Sequence, residues 1–142
     1  MDFVWLTLAA AACAGLLYLS YRIEPHFVSK DGQRFMATMQ TLGQHDVPDS
    51  RIREVRGRFL DDGLIRFDQK HNVRRTSTNW RVVERSPLQA KGKVIFTVAQ
   101  VSAAVSGPEN RSAARAALRL PASSTLIERL DQLVAAHLAP PA

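Results

Sequence analysis

The chain has 142 residues, a formal net charge of +6 and one cysteine. That single thiol excludes an internal disulfide framework, and its early position, Cys13, leaves the rest of the chain without a thiolate ligand for zinc. The 121 residues that follow the first 21 suit one compact domain and not two.

Residues 3–21, FVWLTLAAAACAGLLYLSY, carry no charge. A helix of that length, at about 1.5 Å per residue, covers roughly 28 Å, close to the ~30 Å hydrocarbon thickness of a bilayer. Residues 1–21 are therefore expected to form a transmembrane helix, a signal anchor. A cleaved signal peptide and a lipoprotein signal are the alternatives: Ala9, Ala11, Ala12 and Ala14 offer small-residue cleavage registers, but no Lys or Arg precedes Phe3 and the apolar run continues to Leu19, and Cys13, the lipidation candidate, has Ala10 and not a leucine three residues before it. Lys and Arg close to a span stay on the cytoplasmic side. The first of them, Arg22, Lys30 and Arg34, all follow the helix, which predicts a single-pass protein of the cell membrane with a cytoplasmic C-terminal domain. Trp5, Tyr18 and Tyr21 suit the interfacial aromatic belts.

Residues 22–33 read as a juxtamembrane connector in which Pro25 stops the helix and Lys30, Asp31 and Gly32 make a turn. Residues 34–142 form the expected domain. Arg34–Leu42 alternates weakly, as a strand or a helix could, and residues 43–50 are a loop. In residues 53–60, Val55, Gly57 and Phe59 alternate with Glu54, Arg56 and Arg58, the period of a half-buried strand. Asp61, Asp62 and Gly63 then form a hairpin turn, and residues 64–68 return with Ile65 and Phe67 inward. Residues 69–78 are polar and basic, read as a loop or an edge. Trp80 and Val82 opposite Arg81 and Val83 mark another strand, ended by Pro87. Lys93–Val101 is apolar on both faces and rich in β-branched residues, as a central strand is. Residues 102–111 are a loop around Gly107 and Pro108, and residues 114–120 read equally as helix or strand. Thr125 and Glu128 have capping-box spacing, and Leu126, Ile127, Leu130, Leu133, Val134 and Leu138 share one face of a final helix that Pro140 and Pro141 stop.

Short antiparallel strands followed by one amphipathic helix predict an α+β domain, a small sheet or barrel capped by the C-terminal helix. This order, over about residues 33–138, resembles the pleckstrin-homology-like (PH-like) fold, with one strand fewer than that fold has. The string YRIEPHFVSKDGQRF at residues 21–35 also resembles that of small single-pass membrane proteins of actinobacteria. The second resemblance implies an anchor and a small domain, and it supplies no functional residues.

No catalytic signature is present. His26, His45, His71 and His137 lie far apart in the sequence, with no H-E-x-x-H and no Cys pair, so no metal is expected. The absence of a G-x-S-x-G elbow, a Walker loop and a G-x-G-x-x-G run points to a protein without cofactors that is not an enzyme. Asp61 and Asp62 belong to a turn and not to an acid–base pair. What stands out is charge. Residues 51–93 hold 12 basic and 5 acidic residues, a local excess of seven, and Arg56, Arg58, Arg66, Arg74, Arg75, Arg81 and Arg85 are the candidate contact residues. A solvated face accounts for such a run with no ligand at all. Tethering beside a negatively charged leaflet favours anionic lipid headgroups as the ligand; a protein partner comes next, and the membrane anchor and scarce aromatics disfavour nucleic acid. The expected function is a membrane-anchored, non-enzymatic binding or scaffolding module. An exported β-rich domain released by signal cleavage and an enzyme without a recognisable motif are the alternatives.

Overall fold

The computed structural model describes residues 2–22, 26–71, 74–88, 90–101 and 113–139. Helix α1 (Asp2–Arg22) contains the apolar stretch Phe3–Ser20, none of which is buried. At about 1.5 Å per residue that stretch is roughly 27 Å long, enough to cross a hydrocarbon core. Its apolar side chains surround the axis evenly, the pattern of a helix with apolar solvent on every side. Two of its hydroxyls are paired within the helix: Thr7 donates to the Phe3 carbonyl at 2.8 Å and Ser20 to that of Leu17 at 2.9 Å.

The sheet starts inside the stretch read as a connector. Strand β1 (Phe27–Val28) pairs with β2 (Arg34–Leu42) through Phe27↔Met36 and Val28↔Phe35. Gly32, at φ +67°, makes the turn between them. There the Ser29 hydroxyl donates to the Asp31 carboxylate, which also accepts the Gln33 N–H at 3.1 Å. These two bonds, the Ser29 one foremost, hold the Asp31 carboxyl below its ordinary pKa.

Strands β3 (Arg53–Phe59), β4 (Ile65–His71), β5 (Arg74–Arg85), β6 (Lys93–Val101) and β7 (Arg115–Pro121) follow as a meander, each antiparallel to the next. Pairing of β2 with β7, from Thr38↔Arg119 to Leu42↔Arg115, closes strands β2 to β7 into a barrel. Since β3 fills one edge of β2, β1 and β7 share the other end to end. Closure leaves few backbone groups unpaired at a sheet edge.

Inward side chains fill the barrel, with Phe35, Ile65, Phe67, Phe96, Leu118 and Leu120 at 0 or 1% exposure. Helix α2 (Leu126–Leu138) closes one end by inserting Leu126 and Leu130 into this core. It is fastened there by Arg129, whose guanidinium lies 4.0 Å from the Phe59 ring centre and donates to the Gly32 carbonyl at 3.0 Å. Gly57 is where three strands crowd: on β3 it lies directly between Phe35 and Phe67 of the neighbouring strands. The Phe35 ring occupies the space a side chain would take, so an added Cβ would stand 2.3 Å from Phe35 Cζ.

Several expectations change at the level of detail. Residues 69–78 are largely paired, Gln69↔Thr76, Lys70↔Arg75 and His71↔Arg74; backbone hydrogen bonds carry the hairpin beyond the core, where no apolar alternation marks it. Residues 114–120 are β7 territory because Ala116, Leu118 and Leu120 complete the inner wall, and tertiary packing overrides the helical preference of alanine. Thr125 has helical φ/ψ and makes no capping bond; the Ser124 hydroxyl accepts the Leu126 N–H at 3.3 Å instead. Leu138 is 71% exposed at the end of α2 and does not join the buried face. Strand β6 is buried on both faces, as expected, with Phe96 and Val98 inside and Ile95 packed with Leu42 and Ala117 in a second small cluster. The expected loop at residues 102–111 and the stop at Pro140 and Pro141 lie outside the described residues.

Candidate functional site on the outer wall

Strand alternation and pairing register together decide which arginines meet. On β3, Val55, Gly57 and Phe59 are buried and Glu54, Arg56 and Arg58 point outward. The pairings Arg34↔Arg58 and Arg58↔Arg66 then align three arginines from three consecutive strands in one row, which Asn79 of β5 continues. Directly opposed residues in such a row have Cβ atoms about 4.5–5.5 Å apart. Arg66 Nε donates to Asn79 Oδ1 at 3.4 Å. Arg58 has no side-chain hydrogen bond or ion pair among the described residues.

The adjacent row is mixed. It runs Phe27, Met36, Arg56, Asp68, Ser77 across β1 to β5, and the Ser77 hydroxyl donates to the Asp68 carboxylate. Arg75 and Arg81 are exposed on β5, one on either side of these rows. Among the described side chains of this wall, six arginines, Arg34, Arg56, Arg58, Arg66, Arg75 and Arg81, face two carboxylates, Glu54 and Asp68, an excess of four positive charges among them. Between the rows lies a groove of about 360 Å³, floored by backbone at Gly57 and lined by Phe27 and Met36, by Arg34, Arg56 and Arg58, and by the carboxylate of Asp68.

Five of the seven arginines singled out from the sequence thus share one wall. Arg85 does not: its guanidinium meets Asp131 of α2 at 3.4 Å, at the capped end of the barrel. For Arg74 only the backbone is described, paired with His71. Two wall residues escaped sequence reasoning. Arg34 was visible only as a flanking charge, because register and not spacing brings it beside Arg58; Phe27, 57% exposed, lies in a strand of two residues.

Elsewhere, Arg115 holds the loop after β2 by bonding Asp46 at 2.8 Å, where His45 and Asp46 both have positive φ (61° and 57°), and it also meets Glu84 at 3.4 Å. Thr38 Oγ1 and Arg119 Nε, on paired residues of β2 and β7, are buried without a hydrogen-bond partner among the described residues. No three His, Cys, Asp or Glu side chains gather for a metal ion among the described residues.

Fold and wall define a class: an antiparallel barrel closed by a C-terminal helix, preceded by an apolar helix and carrying a cationic outer face. No family model matches the chain, and neither a curated protein nor a solved structure does.

Proposed function

We propose that this protein is a membrane-anchored, non-enzymatic binding module whose barrel lies on the cytoplasmic side and whose cationic outer wall contacts the anionic headgroups of the membrane that holds it. The observation that carries this reading is the row Arg34, Arg58, Arg66, aligned on a wall whose first strand begins five residues after α1 ends. Five residues extend at most about 18 Å, so the wall is confined near the helix exit by chain length alone. Each Lys or Arg that reaches an anionic surface contributes about 1 kcal/mol, over a Debye length of about 8 Å at physiological salt. The basic flank from Arg22 onward supports the cytoplasmic side. Seven strands and a C-terminal helix also support the resemblance to a PH-like module in a small single-pass protein, which bears on ancestry and not on the ligand.

Hydrogen exchange of the full chain in nanodiscs tests the proposal. Amides of β3 and β4 should exchange more slowly in phosphatidylglycerol nanodiscs than in phosphatidylcholine ones, and added salt should erase the difference. Equal exchange in both lipids refutes headgroup contact and leaves a solvated face or a protein contact as the role of the wall.

A further inference from the structure

Resting on that reading, we infer that the groove between the arginine row and its mixed neighbour binds the phosphate of one anionic phospholipid, with Phe27 seated at the boundary between headgroups and acyl chains. The first support is electrostatic. Like charges placed directly opposite on neighbouring strands are destabilising, and the wall places Arg34 opposite Arg58 and Arg58 opposite Arg66. Other arginines of the barrel are given carboxylates, Arg115 by Asp46 at 2.8 Å and Arg85 by Asp131 at 3.4 Å. Arg58 is given none among the described residues. The carboxylate that lines the groove, Asp68, stands opposite Arg56 and accepts the Ser77 hydroxyl, which leaves the Arg34 and Arg58 pair for a phosphate, whose oxygens the planar guanidinium fork matches in pairs.

The second support is the shape and the one-sided polarity of the site. The outward side chains of Arg34, Met36, Arg56 and Arg58 stand around the backbone at Phe35 and Gly57, both of which direct their Cβ positions inward, and together with Phe27 and Asp68 they line a cleft of about 360 Å³, within the size range of small-ligand sites. A free inorganic anion needs only the cationic walls. The apolar rim, exposed Phe27 beside Met36, answers to a molecule that joins a phosphate to hydrocarbon. The tether selects the same source, since Phe27 lies within about 18 Å of the helix end by chain length and aromatic side chains settle at the membrane interface.

The test uses the full chain in a nonionic detergent, titrated with dihexanoyl phosphatidylglycerol, dihexanoyl phosphatidylcholine or glycerol phosphate, and followed by amide shifts in NMR spectra. The phosphatidylglycerol should bind saturably, shifting Phe27, Met36, Gly57 and Arg58, and more tightly than glycerol phosphate by roughly tenfold or more. Arg34→Gln with Arg58→Gln should weaken it by roughly tenfold or more, whereas the same loss of charge in Arg51→Gln with Lys91→Gln should not. Phe27→Ser should weaken the lipid and spare glycerol phosphate. Glutamine keeps the arginine stem and relieves the repulsion, and unchanged shifts elsewhere certify the fold. Equal losses from the two double variants, or shifts spread over the whole wall, overturn the groove while the headgroup-contact reading survives. Glycerol phosphate binding as tightly as the lipid overturns the lipid source. No response to any anionic lipid overturns both the groove and the reading beneath it.

Discussion

Gly57→Ala should destabilise the barrel although it adds only one methyl group to a strand. Alone, replacing a strand glycine stabilises by roughly 0.5–1 kcal/mol through lost unfolded-chain entropy. Here the new Cβ would lie 2.3, 2.6 and 2.7 Å from three atoms of the Phe35 ring, whereas carbon atoms in contact sit about 3.5–4.0 Å apart. The ring must move by more than an ångström, and it has nowhere to go: Phe59 stands 5.1 Å away, Phe67 6.0 Å away edge-on, and Phe35 is 1% exposed. Overpacking of this kind costs about 1–3 kcal/mol, which less the entropic gain leaves a net loss of up to about 2.5 kcal/mol, and the enclosed ring puts it in the upper half of that range. Urea unfolding of residues 26–142, followed by the fluorescence of buried Trp80, measures it. The cause is isolated by Phe35→Ala, which costs about 3–5 kcal/mol alone. On that background Gly57→Ala should become neutral or stabilising, a coupling of about 1–3 kcal/mol. Additive effects, or a Gly57→Ala protein as stable as the parent, would refute the steric account.

Arg58→Gln should raise the stability of the unliganded barrel by a few tenths of a kcal/mol, because Arg58 faces arginines on both neighbouring strands; a lower melting temperature would remove the electrostatic cost assigned to the row. The Asp31 carboxyl should titrate below its ordinary 3.8, so its contribution to stability is present above that value and disappears as the pH falls through the lowered folded-state value. Ser29→Ala should move the titration midpoint, read by carbonyl NMR, upward, and an unmoved midpoint would exclude the Ser29 hydroxyl as the main cause. A C-terminal green fluorescent protein fusion should fluoresce and an alkaline phosphatase fusion should be inactive; the reverse pattern places the barrel outside the cytoplasm.

Elements whose two faces differ in chemistry were legible in the sequence. In β3, Val55, Gly57 and Phe59 against Glu54, Arg56 and Arg58 state both the strand and its orientation, and β6 declares itself by being apolar on both sides. The turns at Gly32 and Gly63 were equally plain, since both glycines take positive φ, 67° and 77°. Pairing is another kind of information. Two residues cannot show a period, so β1 was hidden, and with it the exposed Phe27. The row Arg34, Arg58, Arg66 exists only once three registers are known; the sequence offered a charge run in which Arg85, tied to Asp131 on α2, looked equivalent to Arg58. The seven alanine-rich and leucine-rich residues of β7 became a strand because the barrel needs a last wall, a constraint no local window contains.

On the proposed reading, the wall formed by β2 to β5 faces an anionic bilayer. Paramagnetic relaxation from a gadolinium-chelating lipid, measured on the full chain in phosphatidylglycerol nanodiscs, tests it most directly. Amides of Arg34, Arg56, Arg58 and Arg66 should broaden strongly, while those of Ile95 and Thr97 on β6 should stay sharp, and the contrast should fade in phosphatidylcholine. Broadening centred on β6 and β7, or equal on all sides of the barrel in both lipids, would contradict it.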